Sequence, residues 1–363
     1  MKTLGRWMTW ALLLSGFAGL LLLPQAVAEG VREGLELCAG TVVPALFPFL
    51  VLSSAAVSLG AADTLGVVLA PLMGPLFRCG RAGAAALGLG LMGGYPVGAK
   101  TVRSLYEGGH CSRQEAERLL GFCNCCGPAF LLGTAGVLGS AALGGLLLAG
   151  HWLGALTTGI VFRFLGEKSE KLPPLTPIHT ERLSNALTQA VRGTLSALGN
   201  ICAYVVLFQV FSRLLEEAGA LTIVSAFPNG RALVLGLLDL TGGVAAVDAT
   251  QSGAIELTAF LLGIGGLSVL CQTMAVLDGS GLALWPAAVG KLLHGVFGAV
   301  WTHLLLRWVP LPEQSMAVIS VGPAKPSLTW FPVSAAAASW GIFCLILSVF
   351  ITIRSSKTGQ RRV

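Results

Sequence analysis

The chain has 363 residues, of which 54% are hydrophobic and only 11% charged. Its mean hydropathy is +0.79. About a quarter of a soluble protein is charged, so a water-soluble fold is excluded and a polytopic membrane protein is expected, its apolar runs of roughly 20 residues marking helical spans. The formal net charge of +6 gathers at the ends and in loops. It reads as topology rather than as a nucleic-acid surface, because no basic patch is interleaved with aromatics.

Lys2 and Arg6 precede the first apolar run, Trp7 to Ala28. Pro24 followed by Ala26-Val27-Ala28 imitates a signal-peptide cleavage site, but the run is longer than a usual signal core, and a retained helix is expected. With Arg354, Lys357, Arg361 and Arg362 after the last run, the positive-inside tendency puts both ends in the cytoplasm and calls for an even number of crossings. The acidic and basic patch Glu29, Arg32, Glu33 and Glu36 then lies outside.

Runs follow at Leu37 to Leu59, at Thr64 to Phe77 with Pro71 and Pro75, and at Ala82 to Ala99, then a loop from Lys100 to Arg118. Leu119 to Leu165 is long enough for two helices. The expected divisions are 1–36, a membrane helix and short loop; 37–165, a first membrane half; 166–180, a linker with Pro173, Pro174 and Pro177; 181–306, a second half; and 307–363, a loop, a last helix near Trp330 to Ile353 and a basic tail. Second-half runs are expected at 186–215, 219–227, 232–249, 255–277 and 281–306. Gly40-Thr41 and Gly193-Thr194 lie 153 residues apart and Gly93-Gly94 and Gly242-Gly243 lie 149 apart, which is the spacing of an internal duplication.

The chemistry concentrates where glycine and proline interrupt apolar sequence. Gly93-Gly94-Tyr95-Pro96-Val97-Gly98-Ala99-Lys100 cannot continue a regular helix. At membrane depth such backbone is tolerated where it lines a cavity or is buried in protein; the alternative is a helix end anchored by Tyr95 and Lys100. Ser112-Arg113-Gln114-Glu115 has the capping-box pattern. Asn124 precedes a second interruption at Gly127-Pro128 and offers donors and an acceptor, to a solute or to another helix. Asp239-Leu240-Thr241-Gly242-Gly243 sets a carboxylate in an apolar run, either as a functional acid or as a partner of Arg231. Ser268 and Gln272, four residues apart, share a helix face. Lys291, His294 and His303 fall in or near the next run, where a cation must snorkel or pair. The patch Asp248 to Gly253 reads as an ordinary loop.

The nine cysteines are mostly in apolar sequence, which argues against a disulfide framework. Only Cys123, Cys125 and Cys126 cluster, without the paired spacing of a zinc site, so close packing is expected, with no metal and no cofactor.

Gly94-Tyr95-Pro96-Val97-Gly98-Ala99-Lys100, the Ser-x-x-Glu helix, Phe122-Cys123-Asn124 with Gly127-Pro128-Ala129-Phe130, Leu237 to Gly242 and Gly265 to Val269 together resemble the sporulation integral membrane protein YlbJ family. That family belongs with nucleoside-recognition, or Gate-domain, proteins. The resemblance implies an all-α polytopic fold, two internal repeats with broken or re-entrant helices, similar to concentrative nucleoside transporters. It also implies a role in moving dipicolinic acid across the outer forespore membrane of a sporulating bacterium. Cys125 stands where the family often has a polar residue, and Asp239 where Glu is common.

The expected function is therefore transport of a small polar or anionic solute without catalysis. The expected contacts are Gly94, Tyr95, Pro96, Gly98, Lys100, Asn124, Gly127, Pro128, Thr241, Gly242, Ser268 and Gln272, with Asp239 the candidate for a coupling proton or sodium ion; facilitated diffusion stays open. The expected partners are the solute and the lipid bilayer, no nucleic acid, and a homo-oligomer is left open. Two other readings stand beside this one: a membrane scaffold needed for spore maturation, and an intramembrane hydrolase using Ser268 and His294.

Overall fold

The computed structural model describes residues 2–59, 68–128, 130–132, 141–164 and 182–308. The Pro-rich 166–180 linker and the expected last helix at 330–353 lie outside them. Among the described residues all regular structure is helical.

The first run is one helix, α1 (Lys2–Leu22), and Pro24 starts a second, α2 (Pro24–Leu37), where its missing N–H costs nothing. A π-turn at Cys38–Val42 leads into α3 (Val43–Ser58), and the path from Pro24–Val42 to Leu46–Leu52 bends by 55°. The short proline-bearing run is helical over α4 (Val68–Phe77), whose last five residues are also π.

The stretch expected as a loop from Lys100 is instead largely helical. The chain breaks only at Gly94-Tyr95-Pro96, between α5 (Gly83–Gly93) and α6 (Val97–Glu107), and the two pack together as a hairpin. Gly98, Ala99, Val102 and Leu105 give α6 a buried face at helical spacing. Helix α7 (Arg113–Leu120) follows, capped as its sequence promises: Ser112 Oγ accepts from the Glu115 amide at 3.2 Å. Glu115 in turn accepts from the Gly80 amide, which ties α7 to the end of α4.

Beyond the irregular Phe122 to Gly127 stretch come α8 (Ala141–Phe162) and the 35-residue α9 (Leu183–Glu217). At 1.5 Å per residue α9 is roughly 50 Å long, well beyond the ~30 Å hydrocarbon layer. Its buried residues Ala186, Ala190, Thr194, Leu198, Ile201 and Val205 form one stripe, whereas Leu187, Val191, Leu195, Leu207 and Phe211 are exposed in the manner of lipid-facing side chains. Against this stripe α2 lies almost backbone to backbone. A Cβ on Gly30 or Gly34 would come within 2.7 Å of the Val210 or Val206 Cα.

The expected 219–227 run holds only turns and a short 3-10 segment, Val224–Ala226. The 232–249 run splits at Asp239 into α10 (Gly230–Leu238) and α11 (Leu240–Ala245), which also pack as a hairpin. The next run splits into α12 (Ala254–Ile264) and α13 (Gly266–Leu277). Gly265 and Gly266 are both left-handed, with φ of +72° and +74°, a conformation costly for any residue with a Cβ. Helix α14 (Trp285–Trp308) closes the described part. Each half thus supplies a helix hairpin followed by an interrupted segment.

Two charged features are more structured than expected. Glu33 of the Glu29 to Glu36 patch pairs with Arg213 on α9; Arg213 also bonds Glu216 at 3.0 Å, and Glu216 accepts from Arg231 Nε at 2.8 Å. Arg231 is therefore spent on Glu216, not on Asp239. In the loop after α11, Asn229 accepts from the Asp248 amide at 2.7 Å and donates to the Asp248 carbonyl at 3.1 Å. The Asp248 carboxylate accepts from the Thr250 amide and hydroxyl and from Gln251, and these bonds hold its carboxyl below the usual range.

Two predictions follow from the packing. A Cβ on Gly90 or Gly98 would meet the Cys123 carbonyl oxygen at 1.7 or 1.9 Å, a backbone atom with nowhere to move. Either glycine changed to Ala should cost about 3 kcal/mol or more and lower the thermal midpoint in detergent, whereas Gly193→Ala, with open space around it, should be neutral or slightly stabilising. The depressed Asp248 pKa implies stabilisation of the loop present above the ordinary aspartate value and lost as pH falls through the lower folded value. Amide exchange of residues 248–251 should keep its protection down to that pH, and Thr250→Val should raise the pH at which protection disappears.

Candidate functional site

The breaks of both halves meet around one cavity of about 50 Å³, lined by Gly94, Tyr95, Cys126, Gly127, Asp239, Thr241, Ser268 and Gln272, with Val42, Leu46, Ile201 and Val205 as an apolar wall. A cavity of this size admits a few waters or part of a small solute.

The polar residues are held by the breaks themselves. Asp239 is the extended residue between α10 and α11 and caps α11, its Oδ2 accepting from the Gly242 amide at 3.0 Å. Ser268 and the Thr241 amide also interact with this carboxylate, so a group only 2% exposed is supported by several donors. Ser268 and Gln272 are neighbours on α13, as the i,i+4 spacing predicts, with Gln272 Nε2 at 3.4 Å from Ser268 Oγ. Tyr95 reaches across from the first half and donates to the Leu262 carbonyl at 2.8 Å. That bond satisfies a carbonyl in the last turn of α12, which the Gly265-Gly266 break would otherwise leave open.

Of the residues expected at the site, Gly94, Tyr95, Gly127, Asp239, Thr241, Ser268 and Gln272 line the cavity. Pro96, Gly98, Lys100, Asn124, Pro128 and Gly242 do not. Lys100 is exposed on α6. Gly98 is a packing position against Cys123, and Gly242 contributes its amide to Asp239. Asn124 is buried behind the wall: its Nδ2 donates to Thr273 Oγ1 at 2.9 Å, and its main-chain carbonyl accepts from Lys291 Nζ at 2.8 Å.

Lys291 is the residue whose place the sequence did not reveal. On α14, Val289, Leu292, Val296, Val300 and Leu304 are exposed as a lipid-facing stripe, and Lys291 and His294 lie on the opposite, buried face. Lys291 does not snorkel to an interface: it is 3% exposed, with Nζ 3.4 Å from the centre of the Tyr95 ring. The signal available in the sequence was the exposed stripe, whose 3- and 4-residue steps put position 291 inward.

Beside it, the rings of His151 on α8 and His294 lie 4.2 Å apart at a 38° tilt, and the His294 Nε2 lies 2.9 Å from the His151 carbonyl. Cys125, His151 and His294 bring one potential ligand atom each within 4.8 Å of one another. His151 Nε2, however, accepts from the Cys126 amide at 3.0 Å, which puts its proton on Nδ1 and leaves no lone pair for a metal while that bond stands. Hydrolytic chemistry fares no better, because His294 faces the His151 carbonyl while Ser268 is engaged with Gln272 and Asp239.

The nucleoside-recognition Gate family matches residues 39–141, the segment that holds the first hairpin and break. The sporulation integral membrane protein YlbJ of Bacillus subtilis (strain 168) is 32% identical over 324 residues, covering 79% of each chain. The chain belongs to the YlbJ family. Its fold is that of the concentrative nucleoside transporters: a variant of CNTnw in an intermediate state superposes with a TM-score of 0.53 at 11% identity, over 86% of this chain and 87% of the other. CNTnw in an inward-facing substrate-bound state gives 0.51 at 12% identity, over 86% of each. This YlbJ-family chain is thus a multi-pass membrane protein with a transporter-like fold, and its curated relative is a sporulation protein.

The capping geometry yields a direct test. Asp239→Ala removes the acceptor for the Gly242 amide and should cost about 1 kcal/mol, read as a lower thermal midpoint; Asp239→Asn keeps an acceptor and should lose less.

Proposed function

We propose that the protein carries a small anionic solute through the membrane, with dipicolinic acid as its cargo and the outer forespore membrane as its place of action. The observation that carries this reading is the cavity where Gly94, Gly127 and Asp239 of three breaks converge, with Tyr95, Thr241, Ser268 and Gln272 on its wall. Broken helices at membrane depth are where transporters gather polar groups for a solute. An apolar wall of Val42, Leu46, Ile201 and Val205 suits the face of a flat ring, and hydroxyl and amide groups opposite suit carboxylate oxygens. The family's tie to sporulation narrows the cargo to a solute that a developing spore accumulates.

Deleting the gene in its host should lower spore dipicolinate severalfold while the enzymes that make it remain active. Unchanged content in a strain without a redundant carrier rejects this cargo.

Asp239 is the coupling candidate, as a buried carboxylate at the solute cavity able to hold a proton or a sodium ion. With Asp239→Asn in proteoliposomes, binding should remain in part while uptake loses its dependence on the ion gradient. Uptake that keeps the wild-type pH and sodium dependence assigns coupling elsewhere.

A further inference from the structure

Two buried groups of opposite type flank the cavity, each bonded to a break, and only Asp239 is matched by several partners. Asp239 caps α11 and is surrounded by donors. Lys291 has one acceptor, the Asn124 carbonyl, and one aromatic ring, that of Tyr95. Among the described residues no carboxylate pairs with it. The groups nearest to it besides Tyr95 and Asn124 are Cys125, Cys126, His151 and His294. None of these is an acid of ordinary strength; His151 Nδ1, a buried donor, and Asn124 Oδ1, a buried neutral acceptor, are both without a partner among the described residues. The region behind the Tyr95 and Cys126 wall is therefore rich in donors and short of negative charge.

A lysine held this way is expensive. A carbonyl and a ring face compensate a desolvated ammonium only in part, and removing an unneeded intramembrane charge is commonly neutral or favourable for stability. What the charge does supply, whenever the ammonium is protonated, is a positive potential behind the Tyr95 end of the cavity. The Tyr95 ring, 3.4 Å from the ammonium and fixed by its hydroxyl bond to Leu262, stands between that charge and the cavity it lines.

We propose that Lys291 is the specificity-determining cation of this cavity, making it favour solutes that present a carboxylate or similar anionic group to the Tyr95 and Cys126 end over isosteric neutral solutes. The proposal rests on the reading of the cavity as a solute site, and it assigns to Lys291 the role that the sequence suggested for Lys100. Lys291 acts through the wall and touches no solute, so its contribution is electrostatic. Unit charges about 8 to 12 Å apart across the ring, in a medium of effective dielectric about 20, attract enough to change affinity by roughly tenfold to thirtyfold.

The test is a binding series on the purified full-length protein in nanodiscs, using pyridine-2,6-dicarboxylate, benzoate and the uncharged pyridine-2,6-dicarboxamide as probes. The wild type should favour carboxylates over the carboxamide by about tenfold or more. Lys291→Gln should bring that ratio close to one without weakening the carboxamide, and Lys291→Arg should keep most of the preference. A purely structural lysine would lower all affinities together, in step with the thermal midpoint. The proposal is overturned if the Gln variant keeps the wild-type ratio, or if the wild type itself shows no preference for the charged probes, a result that needs no variant to fold. If benzoate binds with the expected dependence on Lys291 while pyridine-2,6-dicarboxylate does not, the charge selection stands and the dipicolinate cargo falls. If pyridine-2,6-dicarboxylate binds with no dependence on Lys291, the cargo stands and this inference falls.

Discussion

Helices that stop inside an apolar layer leave amides and carbonyls with no water to turn to, and each one unpaired costs several kcal/mol. The architecture of this protein is largely the answer to that constraint. The Cys123 carbonyl lies against Gly90 and Gly98, where no side chain fits between. The Asn124 carbonyl is taken by Lys291, the Cys126 amide by His151, the Gly242 amide by Asp239 and the Leu262 carbonyl by Tyr95. Nearly every buried polar side chain near the cavity thus has a structural duty to a broken helix. The polar character of the cavity is a by-product of interruption: the groups that repair the breaks are the ones a solute would find.

The sequence announced the interruptions clearly, because glycine and proline act locally. Gly94 to Pro96 and Gly127-Pro128 fall at breaks, and the Ser112 cap and the Ser268 and Gln272 pair are equally local patterns, whereas the break at Gly265-Gly266 divides a run expected to be continuous. The resumption of helix at Val97 was hidden, since Gly98 inside α6 looks like a further breaker and is in fact a close-packing position. Lys100 and Lys291 differ only in which way their helices turn. An ammonium at position 100 follows a break and looks poised, yet it faces outward, while the one at position 291 is turned in by the lipid-facing stripe on the other side of α14. The apolar wall was illegible for a different reason: Val42, Leu46, Ile201 and Val205 have the same chemistry whether they meet lipid, a neighbouring helix or a solute.

The hydrogen bonds are unevenly shared out. Tyr95 to Leu262, Asn124 to Thr273, Arg103 to Val276 and the Ala283 amide to Glu117 tie the first hairpin and its break to the second interrupted helix and the turn after it. On the other side of the cavity, α2, α3 and α9 form their own unit, joined by Gly30 and Gly34 and by the Glu33 to Arg213 pair. Between the two units the surfaces at the cavity are Val42, Leu46, Ile201 and Val205, groups whose attraction has no preferred direction. The Arg231 to Glu216 pair spans the same boundary at its edge. A boundary made this way resists separation but offers little resistance to sliding, since dispersion contacts exchange for equivalent ones at each small step whereas hydrogen bonds do not. The hydrogen bonds named above thus lie within each unit, apart from the Arg231 to Glu216 pair at the edge, and the seam at the cavity is held by contacts without direction.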